Sequence, residues 1–296
     1  MPLSLDFAFE GFRIVREKPK LVLFWGLVLL VGNGAAELLL TALAGPTLER
    51  MATVGPNTDA TVLAGLYASL MPALLTILPI ALVTQAVNCC AVFRAVWGGS
   101  DDRLGYLRFG ADEWRQIAVQ FIMIIFYMAI EVAIILIVSV ISQLMGDRTG
   151  MVGGPLVIGA FLIVLPTVVL RLSLAAVQSF DQKRINIFGS WKLTNGHAWS
   201  LLGGYLVALV MAIFVVALLV IIVGTVIAGV NGGQWIVVNQ MMQSDQTSLQ
   251  AYFQPLVIVR IVMFYALALP LVTALFSGAQ AAAYRTLVGQ TQDPGI

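Results

Sequence analysis

Residues 199–230 read WSLLGGYLVALVMAIFVVALLVIIVGTVIAGV, thirty-two consecutive residues without a charge. A helix needs about 20 mostly apolar residues to cross the hydrocarbon of a bilayer. This run exceeds that length, so its reading sets the class of the whole chain. Composition agrees. Of 296 residues, 60% are hydrophobic and 10% are charged, against roughly a quarter charged in soluble domains. Mean hydropathy is +0.95. No soluble core of this size hides so much apolar surface, and the chain reads as an integral membrane protein. A net charge of +1 excludes a nucleic-acid binder driven by bulk charge.

Working outward from this run, five more stretches are long and apolar enough: 21–44, 61–96, 116–145, 152–177 and 249–288. Tilt, or kinks at Pro72, Pro79, Pro166 or Pro270, absorb their excess length. The second stretch also admits a reading as two half-helices broken at its prolines. The start, MPLSLDFAFEGFRIVREKPK, lacks a signal peptide's order of basic, apolar and small residues, so the first run is expected to be retained. The expected fold is all-α, with six transmembrane helices in three hairpins and amphipathic cytoplasmic helices. It forms one membrane domain over 1–296, with a tail at 1–20, connectors at 98–115 and 178–198, and a short tail at 289–296.

Charge orients these spans. The N-terminal tail carries Arg13, Arg16, Lys18 and Lys20, and the connector after span two carries Arg94, Arg103, Arg108 and Arg115. The connector after span four carries Arg171, Lys183, Arg184 and Lys192, and the C-terminal end adds Arg285. Thirteen of the sixteen basic residues thus fall on one side, leaving Arg50 and Arg148 opposite and Arg260 within span six. The positive-inside rule predicts that both termini are cytoplasmic.

The basic segments share a pattern. In the tail, Leu5, Ala8, Phe9, Phe12 and Val15 fall on one helical face. The second connector opens with Ser100-Asp101-Asp102, a helix start, and spaces Leu104, Leu107, Ala111 and Trp114 similarly. The third offers Ile185, Phe188 and Trp191, with Ile187 alongside. Each precedes an outgoing span and is expected to lie in the interface. AVFRAVWG at 91–98 parallels AAAYRTLVG at 281–289, which suggests three repeated units of interfacial helix plus hairpin.

The third connector, RLSLAAVQSFDQKRINIFGSWKLTNGHAW at 171–199, contains Ser-Trp-x-Leu-Thr-x-Gly-x-x-Trp. Through Arg171, Ser190, Trp191, Leu193, Thr194, Gly196 and Trp199 it resembles the membrane domain of bacterial glycerophosphodiester phosphodiesterases and related uncharacterised six-span proteins. The resemblance implies a bacterial inner-membrane protein. It does not imply the phosphodiesterase activity, which in that family belongs to a separate soluble barrel for which the residues after span six are too few.

Candidate chemistry is sparse. Ser190, His197 and Asp181 are the raw materials of a hydrolase, but Ser190 and His197 stand about 10 Å apart along a helix, with no nucleophile-elbow motif beside them. Ser190 is expected to be a small interfacial residue and His197 to face headgroups; no catalytic residue is assigned. Cys89 and Cys90 are adjacent, which disfavours an unstrained disulfide, and one histidine makes a zinc or haem site improbable. No metal and no cofactor are expected.

Ionisable residues inside spans are costly and therefore informative. Glu131 lies mid-span, ~20 Å from the cytoplasmic helix end, and Arg260 lies at a similar depth on a helix running the other way. The depths predict a Glu131–Arg260 pair, with Glu37 and Asn33 as secondary members. Arg94 and Arg171 are expected to snorkel to phosphates or terminal carbonyls. Lys183, Arg184, Trp191, Lys192, His197 and Trp199 are expected at the headgroups. Asp101, Asp102, Asp112 and Glu113 read as solvated helix caps, and Gly224-x-x-x-Ala228 as a close-packing motif.

These observations predict a non-enzymatic inner-membrane protein, a scaffold, assembly partner or organiser of lipid. Its partners are membrane lipids, with a protein partner or a second copy of the chain also compatible, and no nucleic acid. The alternative is a transporter or channel for a small solute or lipid, using Glu131 and Arg260.

Overall fold

The computed structural model describes residues 4–55, 58–98, 103–145, 149–243 and 247–292. Among these, six helical segments are long and apolar enough to cross a membrane, and no strand occurs. The protein is an all-α, six-span, multi-pass membrane protein. A 3-10 turn at Leu5–Phe9 leads into α1 (Glu10–Glu17). The first hairpin is α2 (Lys20–Ala52) and α3 (Ala60–Trp97). The second is α4 (Ala111–Met145) and α5 (Thr149–Leu172), followed by the short α6 (Ala175–Asp181) and α7 (Phe188–Leu193).

The third hairpin opens with α8 (Ala198–Val230) and turns through α9 (Ile236–Gln243) and α10 (Leu249–Tyr252). It returns through α11 (Pro255–Ile261), a π-helical segment at Val262–Ala268, and α12 (Leu269–Gln292). Asp101, Asp102 and Arg148 lie outside the described residues.

Most of the apolar surface faces outward. Only 6% of the most apolar window of α3 is buried, and 11% of that of α8. Leu23, Leu27, Leu75, Ile125, Leu136, Leu162, Phe214 and Ile221 are all more than half exposed. In water such a surface would aggregate; in a bilayer it is the solvated face.

Helix boundaries follow local chemistry. Asp59 caps α3 by accepting the Thr61 amide at 2.9 Å, and Gly98 ends it in the left-handed region. Between these caps α3 is one helix, passing through Pro72 and Pro79 without separating into halves. Span four is shorter than its apolar run: α5 stops at Leu172 and a turn separates it from α6. Span six starts at Pro255, which occupies the first helical turn, where its missing N–H costs nothing.

The π segment immediately precedes Pro270, which has no N–H for the carbonyl four residues back, that of Ala266. That carbonyl abuts Gly26 of α2, where a β-carbon would come within 2.1 Å. The irregular turn and the glycine thus meet at one helix crossing.

The largest buried cluster lies at the end of the bundle that carries both termini. It joins Phe7, Ile14, Trp25, Cys89, Cys90, Phe93, Leu174, Phe180, Leu201, Tyr284 and Leu287. The N-terminal segment is part of this core. Phe7, Ala8, Gly11 and Ile14 are buried, while Leu5, Phe9 and Phe12 stay over 40% exposed. The buried face is therefore offset from the expected one, and Ala8 belongs to the protein side. The reason is Gly11. A β-carbon there would come within 2.1 Å of the Ala274 carbonyl, and one on Gly278 within 2.6 Å of the Gly11 α-carbon. Two glycines bring backbone against backbone, and Phe7 fills the space over Gly204 on α8.

Over residues 103–110 the second connector is not an amphipathic helix. Residues 103–110 form a turn and an irregular stretch, with Tyr106 at φ 62° and only 5% exposed. Trp25 donates to the Gly105 carbonyl at 2.8 Å, and Lys18 donates to the Tyr106 hydroxyl at 2.8 Å. These long-range bonds, rather than helical periodicity, hold the segment. The third connector does contain the expected short helix, α7, with Phe188 and Trp191 exposed and Ile187 buried. Gly224 and Ala228 are both buried, as a close-packing motif requires; α9 seats there through Val238, and Met263 of span six joins Ala228 in the same buried cluster.

Candidate functional site

The connector carrying Ser190 and His197 is a structural knot. Where α5 ends, the Arg171 carbonyl and the Leu174 amide lose helical partners. The Ser190 hydroxyl donates to the first at 2.8 Å and accepts from the second at 3.2 Å. Thr194 adds its hydroxyl to the Arg171 carbonyl at 3.2 Å, and the Arg171 guanidinium returns a bond to the Thr194 carbonyl at 2.9 Å. Trp191 lies under that guanidinium, 6.0 Å from ring centre to carbon.

Ser190 is therefore fully buried, not interfacial, and its donor and acceptor capacities are both used. Asp181 accepts from Tyr284 at 2.9 Å, and the His197 ring stays within 3.2 Å of the Asn195 carbonyl. The three hydrolase-like residues serve three separate local contacts. Gly196 adopts φ 80° just before α8, and Trp199 is 85% exposed on the first turn of that helix.

A second knot corrects the reading of Arg94, Asp112 and Glu113. Arg94 does not reach headgroups. It is 7% exposed and ion-paired with Glu113, itself fully buried. Arg94 also donates to the Tyr106 carbonyl at 3.1 Å. Glu113 uses its other oxygen to accept the Gly110 amide at 2.8 Å, capping α4 from within. Asp112 is not simply solvated either. It pairs with Arg115 at 2.9 Å and Lys183 at 3.1 Å, and lies 3.6 Å from Arg94. One carboxylate thereby ties the second connector to the third. The signal was present in the sequence as Glu113 three residues beyond Gly110, but its arginine partner lies on another helix.

Lys183 is more than half exposed despite its pairing and takes φ 54°. Beside it, Gln178, Gln182, Arg184, Asn186, Gly189 and Lys192 line an open cavity of about 550 Å3. Arg184 and Lys192 are exposed cations, and Phe188, 66% exposed, stands at the same cavity. Of the expected headgroup residues, Arg184 and Lys192 meet here.

Within the span region, Arg260 pairs with Glu37 at 3.9 Å, not with Glu131. Glu131 is half-buried and makes no ion pair or side-chain hydrogen bond among the described residues. Depth along a helix is legible in sequence, but which helices become neighbours is not: span six packs on α2, whereas α4 packs on α3, α5 and α6. Glu37 and Arg260 line a cavity of about 460 Å3 together with Tyr265, Phe264, Met242, Leu269 and Val272. Asn33 belongs to a different opening. It donates to its own-helix Leu29 carbonyl at 3.0 Å and lines a cavity of about 550 Å3 with Gln85, Gln120, Tyr127 and Gln280.

Tyr252, just outside span six, donates its hydroxyl to the Gly34 carbonyl at 2.8 Å. Burial, reinforced by the Glu37 charge, pushes its phenol above the ordinary value. Among the described residues no three His, Cys, Asp or Glu side chains cluster as metal ligands. Cys89 and Cys90 are buried free thiols. No family model, curated protein or solved structure matches the chain.

Proposed function

We propose that this is a non-enzymatic, multi-pass protein of a bacterial inner membrane, with both termini cytoplasmic, that organises lipid at the cytoplasmic leaflet. The observation that carries the reading is the cavity of about 550 Å3 at the α6–α7 connector. It brings Arg184 and Lys192 together with the amides of Gln178, Gln182 and Asn186. Cations beside an exposed Phe188 suit a phosphate-bearing headgroup whose chains lie in the bilayer. The bias of thirteen basic residues to this end supports the orientation. The likeness of the connector to the membrane domain of glycerophosphodiester phosphodiesterases supports the bacterial inner membrane. The same rigid end, held by the Arg94–Glu113 pair, suits a scaffold for a protein partner.

The test is lipid retention. Protein released from nanodiscs containing phosphatidylglycerol is expected to keep that lipid through native mass spectrometry. Arg184→Gln with Lys192→Gln lowers retention by roughly tenfold or more, since each cation near a membrane surface contributes about 1 kcal/mol. Equal retention by the double variant would sink the proposal.

A further inference from the structure

The cavity that Asn33 shares with three glutamines has no lining residue in common with the connector cavity. Its polar residues come from four spans and a turn. Asn33 lies on α2, Gln85 on α3, Gln120 and Tyr127 on α4, Gln280 on α12, and Ser173 just beyond α5. Helix rise gives their depth from the end of the bundle that holds both termini. Gln120 lies about 14 Å along α4 from Ala111, and Gln85 about 18 Å along α3 from Trp97. Gln280 lies about 18 Å along α12 from Gln292, and Asn33 about 20 Å along α2 from Lys20. The four amides therefore meet at similar depth, inside the spans.

Their hydrogen bonding is incomplete. Asn33 donates to the Leu29 carbonyl of its own helix, and Gln85 donates to the Cys89 thiol, a weak acceptor. Gln120, Tyr127 and Gln280 make no side-chain hydrogen bond among the described residues. The carbonyl oxygens of all four amides are thus left without a donor. The Gln120 and Gln280 amide nitrogens and the Tyr127 hydroxyl are left without an acceptor. At span depth such groups are costly, because hydrocarbon supplies no partners. Of the lining residues, Ala81, Gln85 and Val169 are exposed, so the cavity opens at the surface of the span region.

Charge and hydrogen bonding define the ligand class. No Asp, Glu, Lys, Arg or His lines the cavity among the described residues, so a charged ligand would be held without a counter-charge. The unmet groups include both donors and acceptors. A hydroxyl suits them, since it gives one hydrogen bond and accepts two, and several amides around one space suit several hydroxyls. The volume of about 550 Å3 falls in the range of small-molecule sites. We propose that this cavity binds an uncharged polyhydroxyl group, such as a sugar ring. Leu82, Met123, Ile124 and Leu172 supply an apolar wall for the part of the ligand that carries no hydroxyl. A glycolipid brings such a head from the bilayer through the open side, and a free sugar brings the same chemistry from water.

The experiment is native mass spectrometry of protein released from nanodiscs of equimolar monoglucosyldiacylglycerol, phosphatidylethanolamine and phosphatidylglycerol. Calorimetric titration with glucose, in a detergent without a sugar head, is the second arm. Wild-type protein is expected to retain the glucolipid in preference to both phospholipids. Gln120→Leu, which removes a donor and an acceptor, lowers that retention about tenfold, the loss of one or two neutral hydrogen bonds. Ala81→Trp fills the opening without removing an amide and does the same; it decides the matter if the Gln120 variant fails to elute as a folded monodisperse species. Arg184→Gln with Lys192→Gln leaves glucolipid retention unchanged, which separates this site from the connector. Glucose binding that is lost in Gln120→Leu, without lipid retention, assigns the polyhydroxyl group to a soluble sugar. Binding in neither arm, as for a cavity that holds only water, overturns the site. So does retention indifferent to both Gln120→Leu and Ala81→Trp. A Gln120-dependent preference for either phospholipid overturns the uncharged head.

Discussion

Arg94 on α3 and Glu113 on α4 form a buried ion pair at the end of the bundle that holds both termini, with side chains 8% and 1% exposed. Each has further bonds: Arg94 reaches the Tyr106 carbonyl, and Glu113 caps its own helix at Gly110. Such pairs cost much to desolvate, so removing one partner is far worse than removing both. Glu113→Gln or Arg94→Met is expected to destabilise the protein by about 3–5 kcal/mol, whereas the double variant Arg94→Met with Glu113→Leu recovers most of the loss. Thermal unfolding in detergent, run as a double-mutant cycle, checks this. Equal and additive losses would show that the pair is not coupled.

The Gly11–Gly278 contact makes a different prediction. A single methyl at either position meets backbone, which cannot yield as a flexible side chain would. Gly11→Ala is expected to lift the N-terminal segment off α12 at a cost of about 1–3 kcal/mol, the range for overpacking. Thiol labelling of Ile14→Cys reads it directly. In the native background that position is 6% exposed and should label slowly; with Gly11→Ala it should label fast.

Ser190 offers the sharpest separation of structure from catalysis. Ser190→Ala strands the Leu174 amide and removes a bond to the Arg171 carbonyl, so a loss of about 1–3 kcal/mol is expected. A fluorophosphonate probe should fail to label Ser190, because the hydroxyl is enclosed. His197→Ala should leave the melting temperature unchanged. Covalent labelling of Ser190 that disappears in His197→Ala would restore the hydrolase reading.

Glu131 and Glu37 should respond oppositely to neutralisation. Glu131 has no ion-pair partner among the described residues, so Glu131→Gln removes an unpaired carboxylate from a span and is expected to be neutral or stabilising. Glu37→Gln removes a carboxylate that pairs with Arg260 and is expected to destabilise. Paired melting curves decide; a larger loss at Glu131 would contradict the assignment.

Tyr252 contributes to the alkaline pH dependence. Its phenol is raised by burial and by Glu37, so the folded state holds this proton more tightly than the unfolded chain. The associated stability is fully present below the unfolded phenol value, about 10, and is lost as pH rises through the higher folded value. Tyr252→Phe should flatten the alkaline limb of a stability profile measured between pH 8 and 12 and lose the bond to Gly34. An unchanged alkaline limb would remove Tyr252 from this role.

How much of this was legible in the residues differs by feature. The charge-free run at 199–230 matches α8 within one residue, because transfer into hydrocarbon depends only on local composition and length. The short helix that carries Phe188 and Trp191 was equally local. The second connector misled, since the spacing of Leu104 and Leu107 suggested a helix while Trp25, Lys18 and Arg94 hold it as a loop from outside. Glu113 looked like a cap and is one, but its burial depends on Arg94, nineteen residues earlier and on another span.

By itself, then, the sequence determined six spans, their order and the asymmetry of charge between the two ends, all consequences of one-dimensional composition against a slab of hydrocarbon. Tertiary structure alone decided which polar groups meet. Arg260 and either carboxylate agree in depth, and it meets Glu37 rather than Glu131 because span six packs on α2, whereas α4 packs on α3, α5 and α6. That packing is set by contacts such as Gly26 against Ala266 and Gly11 against Gly278, where backbones far apart in sequence come close enough to lock the elements together.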